Sequence, residues 1–370
     1  MKIGVPQEVK IHEYRVGLLP SSVRELVSHG HQVVVQVGAG IGAGFADDDY
    51  LRAGAEVVPD AAMVFGEAEL IVKVKEPQPS EVPMLRTGQI LFTYLHLAAD
   101  RALTDALLLS GVHAVAYETV TSAGGGLPLL APMSAVAGRL AVQAGAACLE
   151  KPRGGRGVLL GGVPGVMPAQ VVILGAGVVG SHAATIAAGM GAQVTVLDRN
   201  LDALHRLQQV FGGRVQTVYS TADAIDKAAQ GADLLIGSVL IPGAAAPKLV
   251  SREAVRAMPE GAALVDVAID QGGCCATSRP TTHASPTYVD EGVVHYCVTN
   301  MPGAVPRTAS FALNNATLPY VLQLAAQGVG ALRRNGDLRA GLNVSQGRLT
   351  HSAVAAAFNL PCTAADDLFV

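Results

Sequence analysis

Short, mostly apolar runs recur along the chain, each followed by a longer segment of mixed apolar and polar character. Runs at 1–5, 32–37, 70–75, 89–96 and 112–117 have the length and β-branching of strands buried on both faces. Between them, 20–29 is amphipathic, with Ser21 and Ser22 placed to cap a helix, and the acidic 47–50 reads as a solvated helix start. This alternation predicts a parallel sheet with helical crossovers over 1–125. The glycines at 124–126 predict a hinge, and 133–150 predicts one long Ala-rich helix bridging into a second unit. There, runs at 171–174, 193–198, 214–219, 233–237, 263–269 and 295–299 predict a doubly wound sheet of roughly six strands. Helical pattern returns at 316–326 and 352–358. The expected fold is α/β with two doubly wound parallel-sheet domains. One is a Rossmann domain over 129–307, and the other is a discontinuous substrate domain made of 1–128 and 308–370.

The densest signal is VVILGAGVVG at 171–180. Gly175 allows a tight turn out of the strand, Gly177 lets the backbone approach a pyrophosphate, and Gly180 lets the next helix, expected over 181–190, pack on the strand. The pyrophosphate then sits at a helix N-terminus, where free N–H groups favour negative charge. The strand at 193–198 ends on Asp198, at the spacing of an acid that bonds a ribose. That acid repels a 2′-phosphate and so favours NAD over NADP. The glycine cluster at 38–44 also follows a strand, but no acid-tipped strand follows it, so it reads as a loop.

Half the residues are hydrophobic, 15% are charged and the net charge is −4, which allows a large core and argues against nucleic-acid partners and a polybasic membrane face. The five cysteines lack metal-ligand spacing and read as reduced thiols in a cytoplasmic protein, with adjacent Cys274 and Cys275 buried or inert and no metal expected. No leader pattern and no membrane-spanning run is evident, so no membrane partner is expected.

Parallel sheets bind ligands beyond the carboxyl ends of their strands, so polar residues ending apolar runs are the chemical candidates: Lys75, His96, Asp198, Asp270 and Asn300. His96 suits proton exchange near neutral pH, or it caps the following helix. Lys75 suits an anion, or it snorkels at the surface. Arg15, in a charged loop after the first strand, could clamp a carboxylate, or it is simply solvated. Asp270 ends a late strand of the nucleotide fold. Asp266, inside that apolar strand, requires a partner and reads as structural. Lys73 alternates with Val72 and Val74 and faces the other side of the sheet or none. No Ser-His-Asp spacing, zinc pattern or P-loop is present.

Taken together, MKIGVPQE (1–8), EYRV (13–16), VKEP (74–77), YLHLA (94–98), LGAGVVG (174–180), VDVAIDQGG (265–273) and VTNMP (298–302) span the chain in order and resemble the alanine dehydrogenase family. Its superfamily also holds the nucleotide-binding subunit of proton-translocating transhydrogenase and saccharopine dehydrogenase. The resemblance implies NAD-dependent, reversible deamination of L-alanine to pyruvate and ammonium. A non-catalytic NAD(H)-binding transhydrogenase-like subunit and a saccharopine-dehydrogenase-like enzyme are the competing readings. By resemblance, Arg15 and Lys75 hold the substrate's carboxylate and oxo group, His96 is the acid/base and Asp270 the catalytic carboxylate. The same likeness assigns the cofactor to Ser134, Gly175, Gly177, Val178, Val179, Gly180, Asp198, Ser220, Val239 and Leu240. It adds Val267, Ala268, Ile269, Asp270, Arg279, Val298, Thr299, Asn300 and Met301. Family members often carry a basic residue five positions past the acid, where this chain has Ala203. The resemblance further implies a homo-oligomer, a hexamer, and domain closure that excludes water from the hydride step.

Overall fold

Branched apolar residues define the strands from the first residues onward. The computed structural model describes residues 1–239 and 246–369, and the chain divides into two units, Met1–Met133 with Gly303–Val370, and Ser134–Pro302. The first unit starts with β1 (Lys2–Val5), α1 (Pro20–Ser28), β2 (Gln32–Gln36), α2 (Asp47–Arg52), β3 (Glu56–Val58), α3 (Ala61–Glu67) and β4 (Leu70–Val72). It continues with β5 (Ile90–Thr93), α4 (Arg101–Ser110) and β6 (His113–Ala116), and α5 (Ala131–Cys148) carries the chain into the second unit. There follow β7 (Gln170–Leu174), α6 (Val178–Gly189), β8 (Gln193–Asp198), α7 (Leu201–Phe211), β9 (Val215–Tyr219), α8 (Ala222–Gln230) and β10 (Leu234–Gly237). The second unit closes with α9 (Arg252–Arg256), β11 (Ala263–Asp266), β12 (Thr287–Asp290) and β13 (Val293–Tyr296). The chain then returns to the first unit with α10 (Pro306–Gln327), β14 (Leu342–Ser345), β15 (Arg348–Leu349) and a helix at Ser352–Phe358.

Among the described residues the first unit holds an eight-stranded sheet, ordered β15-β14-β6-β5-β4-β1-β2-β3. β1 to β6 run parallel, while β14 and β15 add antiparallel at one edge. The second unit's sheet has seven strands, ordered β12-β13-β11-β10-β7-β8-β9, with β12 antiparallel to β13 at its edge. The fold is thus α/β with two mostly parallel sheets, and the expected six strands become seven because β12 alternates exposed and half-buried residues instead of forming an apolar run. In the first unit Phe65, Ile71, Leu91, Leu107 and Val344 fill the layer between sheet and helices. In the second, Val172, Ile225, Leu235, Val255 and Leu264 do so. No helix among the described residues is long and apolar enough to cross a membrane.

Several boundaries differ from the sequence expectation for physical reasons. α1 starts at Pro20, not at a serine cap, because proline fixes φ and lacks the N–H a first-turn residue would leave unpaired. Ser22 is instead buried and donates to Asn314 Oδ1 at 3.0 Å. Asn314 also accepts from Leu19 N–H at 2.8 Å and donates to Gly17 O at 3.2 Å, which ties α10 to the chain around α1. α10 itself runs from Pro306, well before residue 316, and continues through Pro319. α6 begins at Val178, three residues ahead of the expected start. β11 stops at Asp266, so residues 267–271 form a 3₁₀ turn instead of strand. Lys73, which the alternation left facing either way, is 0% exposed, with Nζ 3.3 Å from Glu8 and 2.6 Å from Glu81. A buried ammonium between two carboxylates keeps its charge where an unpaired one would not.

His295 gives this fold a pH sensitivity. The ring is fully buried, its Nδ1 lies 2.9 Å from Val293 O and its Nε2 2.8 Å from the Thr277 hydroxyl. In the neutral ring Nδ1 donates and Nε2 accepts, and protonation would remove that acceptor. Burial lowers the pKa of His295, against the opposing pull of the Val293 bond. A depressed histidine pKa leaves stability untouched above the unfolded value, and costs stability below it, where only the unfolded chain takes the proton. His295→Gln is therefore expected to flatten the loss of stability between about pH 7 and pH 5.5, read as denaturant midpoints at both pH values. An unchanged slope would show that other groups set the acid limb.

Candidate active site

β5, β4 and β1 are neighbours in the first sheet, and Arg15, Lys75 and His96 all lie past their carboxyl ends. Arg15 is 2% exposed, which overturns the solvated reading. Its Nε donates to Glu13 Oε1 at 2.7 Å, its Nη2 to Glu13 Oε2, and its Nη1 lies 3.0 Å from Met133 Sδ. Burial opposes the guanidinium charge, and the bond and charge of Glu13 more than offset it, so the arginine pKa is raised. Such a fork, already aligned by one carboxylate, presents a rigid cation. Lys75 is half-buried and its peptide is fixed at both ends. Its N–H donates to Glu8 Oε1 at 3.4 Å and its carbonyl accepts from Thr93 Oγ1 at 2.8 Å.

His96 has φ 50°, in the left-handed region that non-glycine residues seldom occupy. The ring stacks on Tyr94 with centroids 5.8 Å apart, and its side chain is 49% exposed. Tyr94 is itself anchored, donating to Leu129 O at 2.6 Å. His96 makes no side-chain cap, and Asp100 caps α4 through Leu103 N–H at 2.9 Å, so the helix-capping reading falls. An accessible imidazole in strained backbone is a common mark of a working site.

In the second unit the glycine turn leaves β7 where strand order reverses between β10 and β8. Gly175 has φ +108°. A Cβ on Gly180 would lie 1.8 Å from Gly175 O, so helix α6 can begin here only with glycine. A Cβ on Gly177 would meet nothing within 4 Å, so that face is open. Gly177 is the N-cap of α6 and supplies no side chain to its first-turn N–H groups. An open backbone turn with unclaimed donors suits a pyrophosphate. Asp198 Oδ2 accepts from Ala176 N–H at 2.6 Å and Oδ1 from Asn200 N–H at 2.7 Å, which pins the acid beside this turn.

The remaining candidates of this unit fall on several loops. Asp270 is exposed on the 3₁₀ turn after β11, with Val267 half-buried and Ala268 and Ile269 buried. Ser220 is buried just past β9, and its N–H donates to Asp198 O at 3.0 Å. Val239 is half-buried, and Leu240 lies outside the described residues. Val178 is exposed and Val179 half-buried at the start of α6, while Ser134 is half-buried on α5. Arg279 is exposed, with its guanidinium 4.1 Å from the Tyr288 ring centroid. Val298 and Met301 are buried, and Thr299 N–H donates to Thr281 O at 3.1 Å. Asn300 has φ 60°, the left-handed conformation also found at His96.

Asp266 proves structural, as its place in an apolar strand predicts. Its carboxylate accepts from the N–H groups of Ala268, Cys274 and Cys275 at 3.1, 2.8 and 3.2 Å and from Ser278 Oγ at 2.6 Å. Cys274 and Cys275 bring their sulfurs within 4.8 Å of it, a grouping that spacing alone does not suggest. The carboxylate oxygens are engaged by those N–H groups and the Ser278 hydroxyl, and the bond from the neighbouring Cys274 thiol, with burial, holds the Cys275 thiol well above its usual pKa. Sequence reasoning missed Glu8, Glu13 and Glu118, the acids that hold Lys75, Arg15 and His96. Only Glu13, two residues from Arg15, carried a local signal.

Glycine turn, acid-tipped strand and switch point define a dinucleotide-binding α/β protein with a Rossmann-type second unit. The family described as alanine dehydrogenase/PNT matches the chain twice, its N-terminal domain over residues 4–137 and its C-terminal domain over 141–352, and the chain belongs to that family. It is 60% identical over 361 residues to the alanine dehydrogenase of Halomonas elongata, covering 97% of each chain. It is 55% identical to that of Mycolicibacterium smegmatis, covering 98% of each. A solved L-alanine dehydrogenase superposes with a TM-score of 0.94 at 57% identity, over 97% of this chain and 99% of that one. The transhydrogenase from Sinorhizobium meliloti shares the fold, with a TM-score of 0.83 at 24% identity over 95% of this chain and all of that one. Family and Rossmann-type fold together imply a nicotinamide dinucleotide cofactor.

Proposed function

We propose that the protein is an oxidoreductase that converts L-alanine and water to pyruvate and ammonium, reversibly, with NAD as the hydride acceptor. The observation that carries this reading is the exposed His96 imidazole past the end of β5, in the same unit as a buried arginine in the chain after β1 and a lysine past the end of β4. The names of the near-full-length relatives give the substrate. The first unit is the substrate domain and the second the cofactor domain. A dinucleotide held by its pyrophosphate at the glycine turn would supply, through its nicotinamide, the acceptor for hydride from the substrate α-carbon. Residues Gly175, Gly177, Gly180 and Asp198 would hold the dinucleotide, and Asp198 favours NAD because a 2′-phosphate would meet its charge.

The chain's own groups do the rest. Arg15, its guanidinium aligned by Glu13, pairs with the substrate carboxylate, and Lys75 steadies the same end and polarises the oxo group. His96 takes a proton from the water that attacks the imine, then returns it as the carbinolamine collapses to pyruvate and ammonium. Asp270 balances the positive charge on the nitrogen. The proposal includes a cytoplasmic homo-hexamer acting on small molecules, with size-exclusion chromatography as the check on assembly.

Mixing the purified protein with L-alanine and NAD⁺ at alkaline pH is expected to raise NADH absorbance, with NADP⁺ and L-serine giving far less. Dinucleotide binding without alanine turnover would overturn the reading and favour a binding subunit.

A further inference from the structure

We infer that Glu118 is the positioning residue for His96, an inference that rests on the acid/base role proposed above. The register of the sheet makes the pairing possible. Thr93 at the end of β5 lies opposite Ala116 at the end of β6, so two residues further on Leu95 and Glu118 stand side by side. Glu118 Oε1 accepts from His96 N–H at 2.6 Å, and its two oxygens accept from Leu95 N–H at 3.2 and 3.3 Å. One carboxylate therefore gathers both peptide N–H groups at the point where the chain enters the left-handed region. Histidine is strained there and stays only if its surroundings hold it.

The imidazole itself is treated differently. His96 Nδ1 lies 3.9 Å from Glu118 Oε1, beyond hydrogen-bonding distance. The acid fixes the backbone that aims the ring and leaves the ring nitrogens to other partners. Its own base is firm. Glu118 sits on the 3₁₀ turn Tyr117–Thr119, whose fully buried Tyr117 packs edge-on against Phe92 and Tyr94 at 4.4 and 5.0 Å. Thr119 Oγ1 accepts from Asn343 Nδ2 at 2.8 Å. The Glu118 side chain is 15% exposed against 49% for His96, so the acid is largely withdrawn from the solvent that the ring faces. Tyr94 and His351 feel the same carboxylate charge.

The test compares Glu118→Ala, Glu118→Gln, His96→Ala and the double variant His96→Ala/Glu118→Ala by steady-state kinetics in alanine and NAD⁺. Glu118→Ala is expected to lower kcat by about 10- to 100-fold, the cost of a misplaced catalytic group, with both KM values within about threefold. Glu118→Gln keeps a side-chain oxygen for the two peptide N–H groups and is expected to recover most of that loss. The double variant is expected to be no slower than His96→Ala, because Glu118 acts through His96. A crystal structure of Glu118→Ala is expected to show residue 96 outside the left-handed region. Wild-type kcat in Glu118→Ala would overturn the inference. So would a further slowing in the double variant, or losses in Glu118→Gln equal to those in Glu118→Ala. If the wild type does not turn over alanine, the proposed function fails, and the backbone of residue 96 in the Glu118→Ala structure alone decides the positioning role.

Discussion

Replacing His96 with glutamine is expected to lower kcat for alanine oxidation by at least about a hundredfold, because glutamine can hydrogen-bond but cannot carry the proton between water and the carbinolamine. The fold has little to lose. The ring is half exposed, its contact is a stack on Tyr94, and the peptide at residue 96 is held by Glu118 whatever side chain it bears. Arg15 remains buried against Glu13, and the peptide of Lys75 remains fixed by Glu8 and Thr93, so substrate binding is expected to change far less than turnover. Dinucleotide binding, read by NADH fluorescence, is expected to match the wild type, since the glycine turn and Asp198 belong to the other unit. Wild-type turnover in this variant would remove His96 from the chemistry and leave the first unit without an acid/base.

The second large effect concerns the glycine turn. Gly180→Ala would place a Cβ 1.8 Å from Gly175 O and 2.9 Å from its carbonyl carbon. Both atoms are backbone of the turn that starts α6, so no flexible side chain can swing aside. Gly237 differs, because a Cβ there would meet the Cys274 sulfur at 2.3 Å. Gly180→Ala is expected to cost about 2–3 kcal/mol of stability by overpacking, and to weaken dinucleotide affinity at least about tenfold as the helix N-terminus shifts. Gly177→Ala gives the matching control. Its Cβ meets no protein atom within 4 Å, so stability is expected to hold while affinity falls, because that face is left for the pyrophosphate. Calorimetry on both variants, with NAD⁺ titrations alongside, separates the outcomes. Wild-type affinity in Gly180→Ala would mean that the dinucleotide binds elsewhere.

The second unit's turn was legible because each of its parts leaves a mark on the residues themselves: a β-branched strand, three glycines, of which Gly175 needs a positive φ, Gly177 faces open space and Gly180 has no room for a Cβ, and an acid at a fixed distance. The body of both sheets was legible for the same reason, since strands buried on both faces are mostly apolar. Their edges were not. β12 alternates like a surface strand and β15 spans only Arg348–Leu349, so neither forms an apolar run. The end of β11 was also hidden, because Asp266 interrupts the ladder by capping its own turn while the neighbouring residues remain apolar. In the first unit the candidate residues could be picked out after strands, but the acids that hold them could not. Glu8 and Glu118 look like ordinary solvated acids until the sheet register sets them beside Lys75 and His96. Left-handed backbone at His96 and Asn300 leaves no trace in composition, since neither is glycine.

The interrupted path of the first unit bears on how the protein is made. A ribosome delivers β1 to β6 first, yet β14, the edge partner of β6, and Asn314, which ties Gly17, Leu19 and Ser22 together, emerge only after the whole of residues 134–302. The second unit is continuous and can close during synthesis, whereas the first must wait, half-finished, with one flank of its sheet unpaired. Unpaired strand edges are where nascent chains stick to one another. The tail of this polypeptide thus serves as the last clasp of the domain its head began.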